Sequence, residues 1–149
     1  MRSMQKSGKQ ISSAVACATE PKSKQITTKG RGDQAEALAR RHLERHGLRW
    51  MASNFRTPGR GGGEIDLIMR DADGTLVFVE VRRRSRADYG GAGASIVGLK
   101  QRRIVFAARH YLMRWPIAPP CRFDVVLFDA SADLALAEIV WLKAAFDAF

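Results

Sequence analysis

Apolar residues recur along this chain with two different periods, and each change of period marks a change of element. Between residues 33 and 46, Ala35, Leu38, Ala39 and Leu43 share one side of a 3.6-residue repeat, which predicts an amphipathic helix stopped by Gly47. Residues 48–55 alternate weakly and predict a first strand. Residues 63–68 and 78–82 are dense in Ile, Leu, Val and Phe. They flank the turn signal Asp71-Ala72-Asp73-Gly74-Thr75 and so predict a hairpin. A second helical repeat, Ile104, Ala107, Ala108, Tyr111 and Leu112, lies within residues 99–114, with Pro116 just beyond. Residues 121–129 predict a strand, residues 138–142 a last strand, and residues 144–149 a short tail. The order helix, three strands, helix, two strands implies an α/β fold with a mixed central sheet and helices packed on it.

The hairpin is the unusual part. A three-residue loop, Ala72-Asp73-Gly74, with Gly in the left-handed position pairs Asp71 with Thr75. Counting outward, Leu67 faces Val79, Asp66 faces Glu80 and Glu64 faces Arg82. A two-residue Asp73-Gly74 turn would bring Asp66 opposite Val81 instead. In the first register one face carries Ile65, Leu67, Met69, Val77, Val79 and Val81. The other carries Ile68, Leu76 and Phe78 near the turn, then Glu64, Asp66, Glu80 and Arg82. A surface hairpin with ordinary polar alternation is the plain alternative, but the half nearest the turn is apolar on both faces. Opposed carboxylates stand roughly 5 Å apart at Cβ and repel, and burial adds to the penalty. A divalent cation with oxygen ligands, a shared proton, or Arg82 as counter-ion would each offset it.

Charge sharpens this picture. The formal net charge is +10. Residues 1–32 carry seven Lys/Arg against one Glu, and residues 82–114 carry nine against one Asp, so the rest of the chain is net acidic. The first stretch is rich in Ser, Lys, Gln and Thr and has no periodicity. Residues 1–30 are therefore expected to form a disordered basic tail, and residues 31–149 a single domain. Positive charge concentrated in a folded region favours a polyanion partner, with solubility as the plain alternative. Cys17 and Cys121 make neither a disulfide framework nor a CxxC metal signature, which fits a reducing cytoplasm. No run approaches transmembrane length, so no membrane partner is expected. The apolar part of residues 11–18 is too short and too serine-broken for a signal peptide.

Asp66 and Glu80 on adjacent strands can hold one Mg²⁺ or Mn²⁺, with water and substrate oxygens completing the shell. Such a metal lowers the pKa of water and stabilises charge on a phosphoryl oxygen. Arg82 follows Glu80 by two residues, projects from the same strand face and can reach a phosphate.

This arrangement resembles the PD-(D/E)xK nuclease superfamily and, more closely, the YraN-like family of uncharacterised, predicted endonucleases. The resemblance is carried by Gly32-Asp33-Gln34-Ala35-Glu36, Asn54-Phe55-Arg56, Gly63-Glu64-Ile65-Asp66-Leu67-Ile68, Phe78-Val79-Glu80-Val81-Arg82-Arg83-Arg84-Ser85, Tyr89-Gly90, Lys100 and Arg122-Phe123-Asp124-Val125. It spans about residues 27–146. It implies a restriction-endonuclease-like fold, Asp66 and Glu80 as metal ligands, and Glu36 on the first helix as a further acidic contributor. It puts Arg82 where the superfamily usually has Lys, although the YraN-like pattern admits either. Lys can shift its pKa and handle a proton, whereas Arg stays charged. Arg82 is thus suited to orienting a phosphate and poorly suited to acting as a base. Lys100, Arg84 and Arg103 are expected to hold the nucleic-acid backbone.

Other motifs have simpler readings. Glu36 follows Asp33 by three residues, a capping-box spacing that explains it as well as catalysis does. Glu64 is a candidate cross-strand partner of Arg82, and Asp124 a structural partner of Arg122. His42 and His46 do not form HExxH and read as a solvated helix face. Gly61-Gly62-Gly63 and the glycines from Gly90 to Gly98 fit no nucleotide-cradling motif and read as mobile loops flanking a substrate channel. The leading expectation is Mg²⁺- or Mn²⁺-dependent phosphodiester hydrolysis on nucleic acid, DNA ahead of RNA and branched or damaged DNA included. The alternative is a nucleic-acid-binding module that kept the fold and lost cleavage, which Arg82 favours. An interaction adaptor whose charge serves solubility is a third reading.

Overall fold

A computed structural model describes residues 28–84, 98–129 and 133–148. The expected tail up to residue 27, with Cys17, lies outside the described residues. So do Ser85, Arg86, Tyr89 and the glycines of residues 90–93. The elements follow the expected order: α1 (Thr28–Arg45), β1 (Arg49–Arg56), β2 (Glu64–Arg70), β3 (Leu76–Arg83), α2 (Gly98–Leu112), β4 (Cys121–Phe128) and β5 (Ile139–Phe146).

Two boundaries differ from the sequence expectation. Helix α1 starts at Thr28, five residues before residue 33 and ahead of the expected domain boundary at residue 31. Gly30 and Gly32 each weaken a helix by only about 1 kcal/mol, so a nucleated helix propagates through them. Strand β5 continues to Phe146 and takes in Ala144, which the sequence assigns to a tail. There the backbone turns left-handed at Ala144 (φ 47°). The Ala144 N–H donates to the Asp124 carboxylate at 3.0 Å, and pairing resumes at Phe123–Phe146 across the register shift.

The strands form one sheet in the order β1-β2-β3-β4-β5. The β1–β2, β2–β3 and β4–β5 pairs are antiparallel and β3–β4 is parallel, α2 supplying the crossover. Ala35, Ala39 and Leu43 of α1 pack on one face against Leu67, Met69, Val77, Val79, Val126 and Phe128. Ile104, Ala107, Ala108 and Tyr111 of α2 pack on the other against Ile68, Leu76, Phe78, Phe123, Val125 and Leu127. A mixed sheet between two helices is the restriction-endonuclease-like arrangement. No helix among the described residues is long and apolar enough to cross a membrane.

The hairpin turn has the expected three-residue loop. The Asp71 N–H donates to the Thr75 carbonyl at 2.9 Å, and Gly74 sits at φ 92°. The register is the expected one, with Leu67 opposite Val79 and Ile68 opposite Phe78. Gly63 lies so close to the Arg103 carbonyl of α2 that a Cβ there would collide with the helix backbone. Its lack of a side chain lets α2 approach the end of β2 where the acidic residues begin.

Buried Asp124 is a structural tie, as expected. It accepts from Arg122 Nε at 3.1 Å, from Trp141 Nε1 at 3.0 Å and from the Ala144 N–H. Arg122 in turn donates to Asp71 at 2.7 Å and so links β4 to the hairpin turn. The two histidines depart from a purely solvated face. His42 and His46 rings lie 4.4 Å apart, and both meet Trp141 edge-on.

Candidate active site at the mouth of the hairpin

The β2–β3 ladder stops at Leu67–Val79, and the acidic residues begin where it stops. Beyond that pair the Val81 N–H donates to the Asp66 carboxylate at 2.8 Å. A side chain has replaced the partner strand's carbonyl, so the strands part at Asp66 and a mouth opens between them.

Side-chain alternation breaks at the same point. Ile65 was expected on the face of Leu67, but it packs with Ile68 against α2. Ala52 and Phe55 of β1, also three residues apart, join the same cluster. Between Ser53–Leu67 and Phe55–Ile65 stands Asn54, opposite Asp66 and left-handed at φ 52°. Asn tolerates this region better than most residues. The kink at Asn54 shifts which side chains of both strands face α2, and it leaves Asp66 at the break.

Two carboxyls meet here, as the register requires. Glu80 is buried (2% exposed). Burial first, then the adjacent Asp66 charge, push its pKa up to about 7, while Lys100 opposes them. Burial raises Asp66 as well, against the Val81 hydrogen bond and the Lys100 charge. The Lys100 ammonium forms an ion pair with Glu80 Oε1, and that buried oxygen receives no hydrogen bond of ordinary geometry. Lys100, expected on a nucleic-acid backbone, is therefore part of the carboxylate cluster. A cation in the first turn of a helix opposes the helix dipole, and that was the available sequence signal that Lys100 is held by a group outside its own helix.

Glu36 is not a helix cap. Because α1 begins at Thr28, Asp33 lies inside the helix and no capping box forms. The Glu36 carboxylate instead accepts from Asn54 Nδ2 at 2.8 Å. Burial raises its pKa, the Asn54 bond opposes this, and the charges of Asp66, Asp33 and Glu64 add to the rise. Glu36 thus belongs to the same negative field as Asp66. It lines a groove of about 420 Å³ between α1 and β1, together with Asp33, Arg40, Ser53 and Asn54. Asn54 had no assigned role in the sequence reading; an Asn inside a strand, three residues ahead of a Gly-rich loop, was the available signal.

The remaining basic residues divide. The unbroken β3–β4 register, with Arg82 opposite Leu127, keeps Arg82 on the Glu80 face. Glu64, expected opposite Arg82, lies beyond the point where the two strands part. It accepts from Arg56 of β1 at 2.9 and 2.7 Å. Arg84 lies just past β3, its N–H on the Phe128 carbonyl at 2.7 Å. Arg103 is exposed on α2, one turn after Lys100.

The donor set suits a hard divalent cation. It offers two carboxylates from adjacent strands, that of Glu80 buried. Among the described residues no three His, Cys, Asp or Glu side chains converge on one point. Two carboxylates with waters completing the shell is one way in which Mg²⁺ is commonly held.

A sequence profile of the Uncharacterised protein family UPF0102 matches residues 35–128. The chain is 66% identical over 128 residues to a UPF0102 protein of Polaromonas naphthalenivorans (strain CJ2), covering 84% of each chain. It is 62% identical over 125 residues to a UPF0102 protein of Paracidovorax citrulli (strain AAC00-1), covering 84% of this chain and 88% of that one. It is 53% identical over 126 residues to UPF0102 protein Mpe_A3766 of Methylibium petroleiphilum, covering 83% and 98%. The matched span includes Glu36, Asn54, Asp66, Glu80, Arg82 and Lys100.

Proposed function

The chain belongs to the protein family UPF0102, and from that premise we propose that it hydrolyses phosphodiester bonds in nucleic acid, DNA ahead of RNA, with Mg²⁺ or Mn²⁺ held by Asp66 and Glu80. One observation carries this reading: two carboxyls brought together at the parted end of a hairpin, with a cationic side chain already on them. A bound divalent cation supplies charge stabilisation at a phosphoryl oxygen and a lowered pKa for water. The chain's own residues do the rest. The Val81 N–H fixes the Asp66 carboxylate. Arg82, on the Glu80 face, orients a phosphate through its planar fork of donors. Asn54 holds Glu36, whose raised pKa suits it to accept a proton at the edge of the groove. Arg84 and Arg103 add positive charge along the approach to the mouth.

The test is cleavage of linear, flapped and four-way-junction DNA, and of RNA, by purified protein with Mg²⁺ or Mn²⁺. Loss of cleavage in Asp66→Ala and Glu80→Ala is expected. No cleavage of any substrate by wild type would overturn the reading. One observation favours a second reading, a binding module without cleavage: Arg82 stays charged and cannot act as a base. Salt-sensitive nucleic-acid binding without cleavage would establish it.

A further inference from the structure

We propose that Lys100 is the resident counter-ion of the Asp66–Glu80 pair, and that a divalent cation enters the site by displacing the Lys100 ammonium from Glu80. This inference rests on the metal-site reading above.

The two ends of Lys100 have different surroundings. Its ammonium contacts Glu80, whose side chain is 2% exposed, yet the Lys100 side chain as a whole is 51% exposed. A flexible four-carbon stem with half its surface in water can swing outward without disturbing a packed neighbour. Its place in the fold is not explained by helix stability. Lys100 is the third residue of α2, and the first turn of α2 has no acidic residue. A cation there opposes the helix dipole. What it gains is the buried carboxylate on β3.

The carboxylates are not equivalent in this exchange. Asp66 is fixed by a backbone donor, the Val81 N–H, which has no charge to compete with a metal. Glu80 Oε1 is held by the ammonium of a half-exposed side chain and not by a backbone donor. The exchange of partners therefore takes place at Glu80. A unit positive charge in contact with the donor oxygen both screens the carboxylates and repels an incoming cation, and these effects are large in a partly dehydrated site.

The test is calorimetric titration of MnCl₂ into the full chain near neutral pH. Lys100→Met should bind Mn²⁺ tighter than wild type by about tenfold or more, since the competing charge is gone. Lys100→Arg, which keeps the charge, should stay close to wild type. Lys143→Met removes one positive charge on β5 and should change nothing. Equal or weaker Mn²⁺ binding by Lys100→Met would overturn the proposal, and so would the absence of Mn²⁺ binding in both wild type and Lys100→Met. Cleavage assays on the same samples separate this idea from the nuclease reading. If no substrate is cut while Mn²⁺ affinity still follows the charge at position 100, the nuclease reading fails and the displacement stands.

Discussion

The Val81 N–H donates to the Asp66 carboxylate at 2.8 Å, across the point where two antiparallel strands stop pairing. This one bond ends the β2–β3 ladder, holds Asp66 in place and leaves Glu80 beside it with a buried oxygen facing Lys100. Removing the Asp66 or Glu80 carboxylate should abolish Mn²⁺ binding. In wild type, saturating Mn²⁺ should raise the melting temperature by mass action. A scanning-calorimetry series with Asp66→Ala and Glu80→Ala checks this, and the same Mn²⁺-dependent rise in the variants would move the metal elsewhere.

Stability of the metal-free protein should fall as pH rises from about 5 to 8. The Glu80 pKa is raised from 4.5 to about 7, so the folded state holds a proton that the unfolded state releases. The associated stability is fully present below the unfolded value and is lost as pH passes through the folded one. Its size is on the order of 3 kcal/mol. Asp66 and Glu36 are raised too and act in the same direction. Thermal melts in EDTA across this range should show the decline, and Glu80→Gln should flatten it.

Arg82 shares the Glu80 face because β3 keeps its register against β4. On the proposed nuclease reading, Arg82→Lys should keep part of the cleavage, and Arg82→Met should lose it while still binding Mn²⁺ through Asp66 and Glu80. Cleavage rates and Mn²⁺ titrations of the two variants decide the matter. Full activity in Arg82→Met would remove Arg82 from the mechanism.

Asp124 should prove essential to folding and irrelevant to metal. It accepts bonds from Arg122, Trp141 and the Ala144 backbone while fully buried. Asp124→Ala would leave three donors without their acceptor, one of them charged, and should destabilise by about 3–5 kcal/mol. Urea denaturation measures this. Mn²⁺ affinity of the folded fraction should equal that of wild type.

Gly63 should tolerate no side chain. A Cβ there meets the Arg103 carbonyl, so Gly63→Ala must push α2 away from β2 and with it Lys100 from Glu80. The expected signs are a loss of about 2 kcal/mol or more and a changed Mn²⁺ affinity. Gly61→Ala, in open space but at φ 78°, should show strain without the second effect.

The sequence by itself determined what depends on neighbours along the chain. Hydrophobic period separates helix from strand, so the order of elements and the residues Ala35, Ala39, Leu43, Ile104, Ala107 and Ala108 that each helix buries were legible in it. Turn chemistry at Asp73-Gly74 set the hairpin register, and the register brought Asp66 to Glu80. Three features were decided only by the tertiary structure, because each depends on a group far away in sequence. The left-handed turn at Asn54 is made beside β2 and broke the alternation that had placed Ile65 with Leu67. Glu64 pairs with Arg56 of β1, the strand on its other side, beyond the point where β2 and β3 part. Lys100 reached Glu80 because α2 packs closely over β2, the neighbour of β3, an approach that the bare backbone of Gly63 permits. Strand pattern assigns a side chain to a face, but the partner it finds there depends on how closely the next element packs.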